Sequence, residues 1–158
     1  KQLNISRTQA KEYIDSYFRQ YPGIKNYMED TKEYARKFGF VKTLFGRKCF
    51  ISHINDKNLI RRAYAERQAI NAPLQGAAAD IIKRAMRRIY WSINKLNFKS
   101  SMILQVHDEL VLESPEEEVE KIVPVIKEIM ISAPKPLYSM QIPLEVDVGI
   151  GSNWNEAH

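Results

Sequence analysis

Three polar residues, His107-Asp108-Glu109, stand between two short apolar runs at 101–106 and 110–112. Charged groups at a junction of two apolar strands are costly to desolvate unless they are paired or bound to a metal. A two-residue hairpin normally turns on Asn-Gly or Asp-Gly, and this knot has no glycine, so turn geometry alone does not account for it. Adjacent carboxylates at an exposed tip can hold Mg²⁺, a hard cation that takes oxygen ligands and keeps several waters. Two such ions about 3.5–4 Å apart can drive phosphoryl chemistry. The same residues also suit a polar turn without metal, and His107 alone suits a structural histidine as well as a ligand.

A second constellation lies upstream. Arg67, Asn71 and Gln75 are spaced i, i+4, i+8, which puts them on one face of a continuous helix. All three can donate hydrogen bonds. Every base pair presents acceptors in the minor groove at purine N3 and pyrimidine O2, so donors aimed there can test pair geometry without reading sequence. Gly76 would let a backbone or substrate come close. An amphipathic helix with a solvated polar face fits the same spacing.

These residues need elements to hold them. Ser6 is an N-cap candidate for a helix bearing Ala10, Tyr13, Ile14, Tyr17 and Phe18, ended by Tyr21-Pro22-Gly23. A second helix is expected over 24–37, stopped by Gly39. The runs 40–44 and 48–51 flank Phe45-Gly46-Arg47 as a β-hairpin. A helix from about Asn58 meets Pro73, which is expected to break or kink it for want of an N–H. A long helix follows, with Leu74, Ala78, Ile81, Ile82, Ala85, Met86, Ile89 and Ile93 as its apolar stripe and Lys83, Arg84, Arg87 and Arg88 on the other face. Pro115 can sit in the first turn of another helix, whose Glu116-Glu117-Glu118 suit the positive end of the dipole. The alternation Leu144-Glu145-Val146-Asp147-Val148 predicts a last strand.

Charge divides along the chain. Residues 1–100 carry 21 Lys and Arg against 8 Asp and Glu, and 101–158 carry 3 against 11, for a net charge of +5 over 158 residues. A basic first part suits a polyanion, with carboxylates available in the second. With 44% hydrophobic residues the chain can build a core, which argues against wholesale disorder. The single cysteine, Cys49, excludes an internal disulfide framework, fits a reducing compartment and is expected to be buried filler. No apolar run is long enough for a membrane-spanning helix. Lys1-Gln2-Leu3-Asn4 is neither an initiator nor a signal peptide, so the chain is expected to start within a longer polypeptide.

Residues 67–80, RQAINAPLQGAAAD, with IIKRAM at 81–86 and QVHDELVLE at 105–113, resemble the C-terminal third of bacterial family A DNA polymerases. The resemblance spans essentially the whole chain and includes Tyr21-Pro22-Gly23, Thr43-Leu44-Phe45-Gly46-Arg47 and the ending Val148-Gly149-Ile150-Gly151-Ser152-Asn153-Trp154. It implies an α+β fold: an antiparallel palm sheet with a metal-binding β-hairpin, packed on long helices, preceded by N-terminal helices of the fingers. Residues 1–38 would be the end of the fingers and 39–158 the C-terminal part of the palm. Asp108 would ligate the catalytic metals, with Glu109 in a lesser supporting role. His107 would lie near the primer terminus, and Arg67, Asn71 and Gln75 would face the template–primer minor groove.

The implied reaction is attack of a primer 3′-hydroxyl on the α-phosphate of a dNTP, with two Mg²⁺ ions. Primer-template DNA, dNTP and the rest of the polymerase polypeptide would be its partners, with no membrane. The implied setting is the bacterial cytoplasm at the nucleoid, or an organelle. Two departures stand out: Ala77 replaces the usual Thr after Gln-Gly, and Lys48-Cys49 follows Gly-Arg where the family often continues with Arg. The family's second metal aspartate and its nucleotide-binding fingers helix are both upstream elements and are not in these 158 residues. The fragment alone is therefore expected to be inactive. A non-catalytic DNA-binding module and a metal-dependent phosphoesterase using Asp108 and Glu109 are the alternatives.

Overall fold

The computed structural model describes residues 5–157, so Lys1-Gln2-Leu3-Asn4 lie outside it. Five helices and four strands follow in the order α1 (Arg7–Gln20), α2 (Pro22–Phe38), β1 (Phe40–Lys42), β2 (Lys48–Phe50), α3 (Leu59–Lys95), β3 (Ser101–Val106), β4 (Glu109–Glu113), α4 (Glu116–Ile131) and α5 (Trp154–Ala157) among the described residues. The fold is mixed helix and small antiparallel sheet, as the resemblance implies. The chain divides into two compact units, Lys1–Leu74 and Gln75–His158.

In the first unit, local chemistry sets the helix ends. Ser6 Oγ accepts from the Gln9 backbone N–H at 3.2 Å while Gln9 Oε1 accepts from the Ser6 N–H at 2.9 Å, a reciprocal capping box. Pro22 starts α2 rather than merely ending α1, because its missing N–H falls where no helical partner exists. Gly39 closes α2 at φ 76, and its N–H reaches the Ala35 carbonyl at 2.8 Å.

Strands β1 and β2 then pair antiparallel, Phe40 opposite Phe50 and Lys42 opposite Lys48. Beneath them Ala35, Val41, Ile51, Ile54, Ala65 and Ala69 form the core, with Cys49 only half-buried at its margin. The small residues at 65 and 69 let α3 approach closely. The Tyr27 hydroxyl donates to the Ile70 carbonyl at 2.9 Å, and Arg36 pairs with Glu66 at 2.7 Å, fixing α2 against α3.

Pro73 does not end the helix: α3 is assigned continuously from Leu59 to Lys95 with the proline inside. One lost N–H is tolerated where the turns on both sides are long enough to carry the helix through. Helix α4 likewise contains Pro124.

In the second unit, Ala85, Ile89, Ile122, Ala133 and Pro134 are buried. Leu74, first in the expected stripe, is 61% exposed. Arg84 and Arg88 are not a free basic face. Arg84 donates to the Ala133 carbonyl at 2.8 Å and the Lys135 carbonyl at 3.0 Å; Arg88 donates to Ser132 at 2.9 Å and also to Lys135. They satisfy carbonyls just beyond α4, where a helix end leaves acceptors without partners.

The expected strand at 144–148 does not form. Leu144 and Val146 are half-buried and Glu145 and Asp147 exposed, as alternation requires, yet only β1–β2 and β3–β4 are hydrogen-bonded among the described residues. A strand needs a ladder partner, and none is present there. Gly149 and Gly151 let the chain ending pack against itself: a Cβ at Gly149 would lie 1.6 Å from the Ala157 carbonyl oxygen.

Candidate functional site

The hairpin in the second unit presents its acidic residues through three irregularities. Val106 pairs with Glu109, which leaves a two-residue loop, His107-Asp108. Glu109 therefore begins β4 instead of belonging to the turn. His107 adopts φ 50, a left-handed conformation that costs an ordinary residue about 1 kcal/mol. Gln105 Nε2 donates to the His107 carbonyl at 2.7 Å and braces the turn from the preceding strand. The third irregularity is a bulge. Met102 pairs with Leu112 but Leu104 with Val111, so Ile103 is an extra residue on β3. The bulge thus absorbs Ile103 and keeps 104–106 in register with 111–109 as the strand enters the turn.

The open end of the hairpin is tied to α4. Glu118 accepts from the Lys99 N–H at 2.9 Å, the Ser100 N–H at 3.1 Å and the Ser100 hydroxyl at 2.7 Å. Ser100 and Ser114, which flank β3 and β4, lie 2.7 Å apart through their hydroxyls. Ser100 is 3% exposed, so these bonds satisfy a buried polar group. The hydrogen bond from the Lys99 backbone, followed by those from Ser100, holds the Glu118 carboxyl below its ordinary pKa, against the opposing effect of burial.

Asp108 and His107 are exposed at the tip and Glu109 is half-buried. The carboxylate oxygens of Asp108 and Glu109 are hard donors of the kind Mg²⁺ takes. They are only two carboxylates, and no group of three or more potential metal-ligating side chains occurs among the described residues. The tip therefore offers carboxylate chemistry suited to a hard cation but too few ligands to enclose one by itself.

The other candidates lie on α3. Arg67 and Asn71 are exposed one turn apart in the first unit, and Gln75, also exposed and helical, opens the second. Neither the Arg67 nor the Asn71 side chain makes a hydrogen bond or ion pair among the described residues. Their neighbours differ: Arg62 approaches Glu66 at 3.8 Å and Arg61 approaches Asp56 at 3.8 Å. Arg67 instead lies with its Cζ 5.9 Å from the centre of the Tyr64 ring. His53, Ile60, Arg61, Tyr64 and Arg67 line an open hollow of about 380 Å³. At its edge Asp56 accepts from the Asn58 N–H at 2.8 Å and lies 3.2 Å from His53 Nδ1. The Asn58 bond, together with Arg61 and His53, lowers the Asp56 pKa, with burial opposing.

Sequence reasoning missed His53, which has φ 65, and Tyr64. The i, i+3 spacing of Tyr64 and Arg67 was the available signal for the second. Among the described residues no helix is long and apolar enough to cross a membrane.

A family model described as DNA polymerase family A matches residues 1–156. The chain is 48% identical over 158 residues to a DNA polymerase I of Pseudomonas aeruginosa, covering 100% of this chain and 17% of that protein. It is 46% identical over 159 residues to a DNA polymerase I of Rhizobium leguminosarum, covering 99% and 16% respectively. Among solved structures, it is similar to the POL domain of Pol1 from M. smegmatis in complex with DNA primer-template and dNTP. There the TM-score is 0.91 and the identity 39%, over 97% of this chain and 26% of that one. The chain thus spans about one sixth of the length of these curated relatives.

Proposed function

This chain belongs to DNA polymerase family A, and from that membership we propose that it supplies part of the catalytic palm and the end of the fingers to an enzyme of template-directed DNA synthesis. Residues 1–38 are assigned to the fingers and 39–158 to the palm. The observation that carries the reading is the hairpin tip. An aspartate stands exposed at a two-residue turn held in a left-handed conformation without glycine, the kind of local strain that a fold retains where chemistry needs it.

In this reading Asp108 offers its carboxylate as a metal ligand and Glu109, at the start of β4, supports it. His107 lies by the primer terminus. Arg67, Asn71 and Gln75 donate to minor-groove acceptors of the newest base pairs, which explains why the side chains of Arg67 and Asn71 have no hydrogen-bond acceptor among the described residues. The bond formed joins the primer 3′-oxygen to the α-phosphorus of a dNTP, and the bond broken releases pyrophosphate. Divalent cations, Mg²⁺ in this proposal, supply when bound a nucleophile of lowered pKa and neutralise the triphosphate charge. Two carboxylates are too few for two ions, so the remaining ligands must come from elsewhere in the polymerase polypeptide, and the 158-residue chain alone should not incorporate nucleotides. The setting proposed is the bacterial cytoplasm.

The test is Asp108→Ala in a complete polymerase that contains this chain. Incorporation should be lost while primer-template binding persists. Near-normal turnover in that variant would refute the assignment.

A further inference from the structure

We propose that Tyr64 is a positioning residue for Arg67, its ring face holding the guanidinium in the orientation from which the N–H donors meet the minor groove. This rests on the polymerase reading above.

Arginine has many rotamers, and a side chain that must present donors to DNA needs an anchor that leaves those donors uncommitted. A carboxylate would hold the guanidinium but occupy its N–H groups. An aromatic face holds it through the ring quadrupole and leaves the N–H edge open. The structure separates these two cases on a single helix. Arg61 and Arg62 each approach a carboxylate, Asp56 and Glu66. Glu66 is further engaged by Arg36 at 2.7 Å, and Asp56 by His53 and the Asn58 N–H. Both nearby carboxylates are therefore occupied by other groups. Arg67 has the Tyr64 ring, one helical turn before it, with Cζ 5.9 Å from the centroid. Tyr64 is 57% exposed, and its hydroxyl makes no hydrogen bond among the described residues. The ring face, then, is what the position uses.

The experiment is single-turnover primer extension by a complete polymerase containing this chain, from matched and mismatched primer ends. It compares Arg67→Ala, Tyr64→Ala, Tyr64→Leu, Tyr64→Phe and the double variant Tyr64→Ala/Arg67→Ala. Tyr64→Ala should slow extension from a mismatched end by about two- to fivefold, the scale of an exposed cation–π contact. Tyr64→Leu, apolar but without a ring face, should match it. Tyr64→Phe should restore the wild-type rate, and the double variant should be no slower than Arg67→Ala. If Arg67→Ala slows extension while Tyr64→Ala does not, the positioning role is overturned and the minor-groove reading stands. If Phe fails to rescue, or the two effects multiply, Tyr64 acts independently of Arg67 and the proposal also fails. Unchanged extension by Arg67→Ala would instead remove the minor-groove assignment on which it is built.

Discussion

The hairpin at Ser101–Glu113 and the exposed face of α3 present their candidate side chains in opposite ways. On α3 the positions of Arg67 and Asn71 in the first unit follow from helical repeat alone, and in the proposed reading each is one of several similar donors. At the hairpin a single carboxylate is placed by a bulge at Ile103, a two-residue loop and a left-handed histidine. Regular placement spreads a task over several residues, so losses should be graded. Irregular placement concentrates it, so losses should be nearly complete.

The sharpest contrast is between Asp108→Ala and Arg67→Ala. The first should cut incorporation by about three orders of magnitude, because metal-assisted charge stabilisation is worth several kcal/mol. Deleting Ile103 should cost less, about tenfold: it removes the local bend and extra twist of the bulge, while Leu104, Gln105 and Val106 keep their partners Val111, Leu110 and Glu109 and the faces those set, and the α3 donors are untouched. Wild-type incorporation by the deletion would show that the tip does not depend on its irregular path. Arg67→Ala should slow extension past a mismatch by about tenfold, the lower part of the range for a lost base contact, with a smaller effect on matched ends. Rapid-quench kinetics would rank all three.

Stability effects are smaller and test the hairpin alone. His107→Val puts a β-branched residue at φ 50 and should destabilise the turn by about 1–3 kcal/mol, read as faster amide exchange in β3 and β4. Glu118→Gln should act through pH. The Glu118 pKa is lowered in the folded state, so its contribution is present above the ordinary value of 4.5 and fades as pH falls through the folded value. The protection of β3 and β4 amides, taken relative to their intrinsic exchange rates at each pH, should therefore fall on acidification below about 4.5 in the wild type, and this acid-dependent loss should shrink in Glu118→Gln.

The same contrast explains what the amino-acid sequence made legible. Ser6, Gly39 and the apolar spacing of the helices carry their own geometric instructions, and each element they signalled is present. Pro73 does not break the helix as one of its two expected effects would have it, because the turns on both sides carry α3 through. The bulge was not legible, because β3 reads as a plain apolar run and only its partner strand defines the mismatch. The strand expected at 144–148 has the right alternation but lacks a neighbour, and alternation cannot supply hydrogen bonds. Arg84 and Arg88 looked like solvated charge because their partners are backbone carbonyls, which have no signature in residue type. The acidic knot and the i, i+4, i+8 donors are recognisable from residue type and spacing, whereas a ring three residues before an arginine has, beyond that spacing, no signature that sets it apart from any other exposed aromatic on a helix.

Those two arginines have a consequence for nucleic-acid affinity. A duplex that binds releases condensed counterions in proportion to the phosphates neutralised, and the salt dependence of affinity counts them. Guanidinium groups engaged by the carbonyls of Ser132, Ala133 and Lys135 keep their charge but are held in place with fewer N–H groups left to meet a phosphate, so each should add less to the salt slope than a freely extended basic residue on α3.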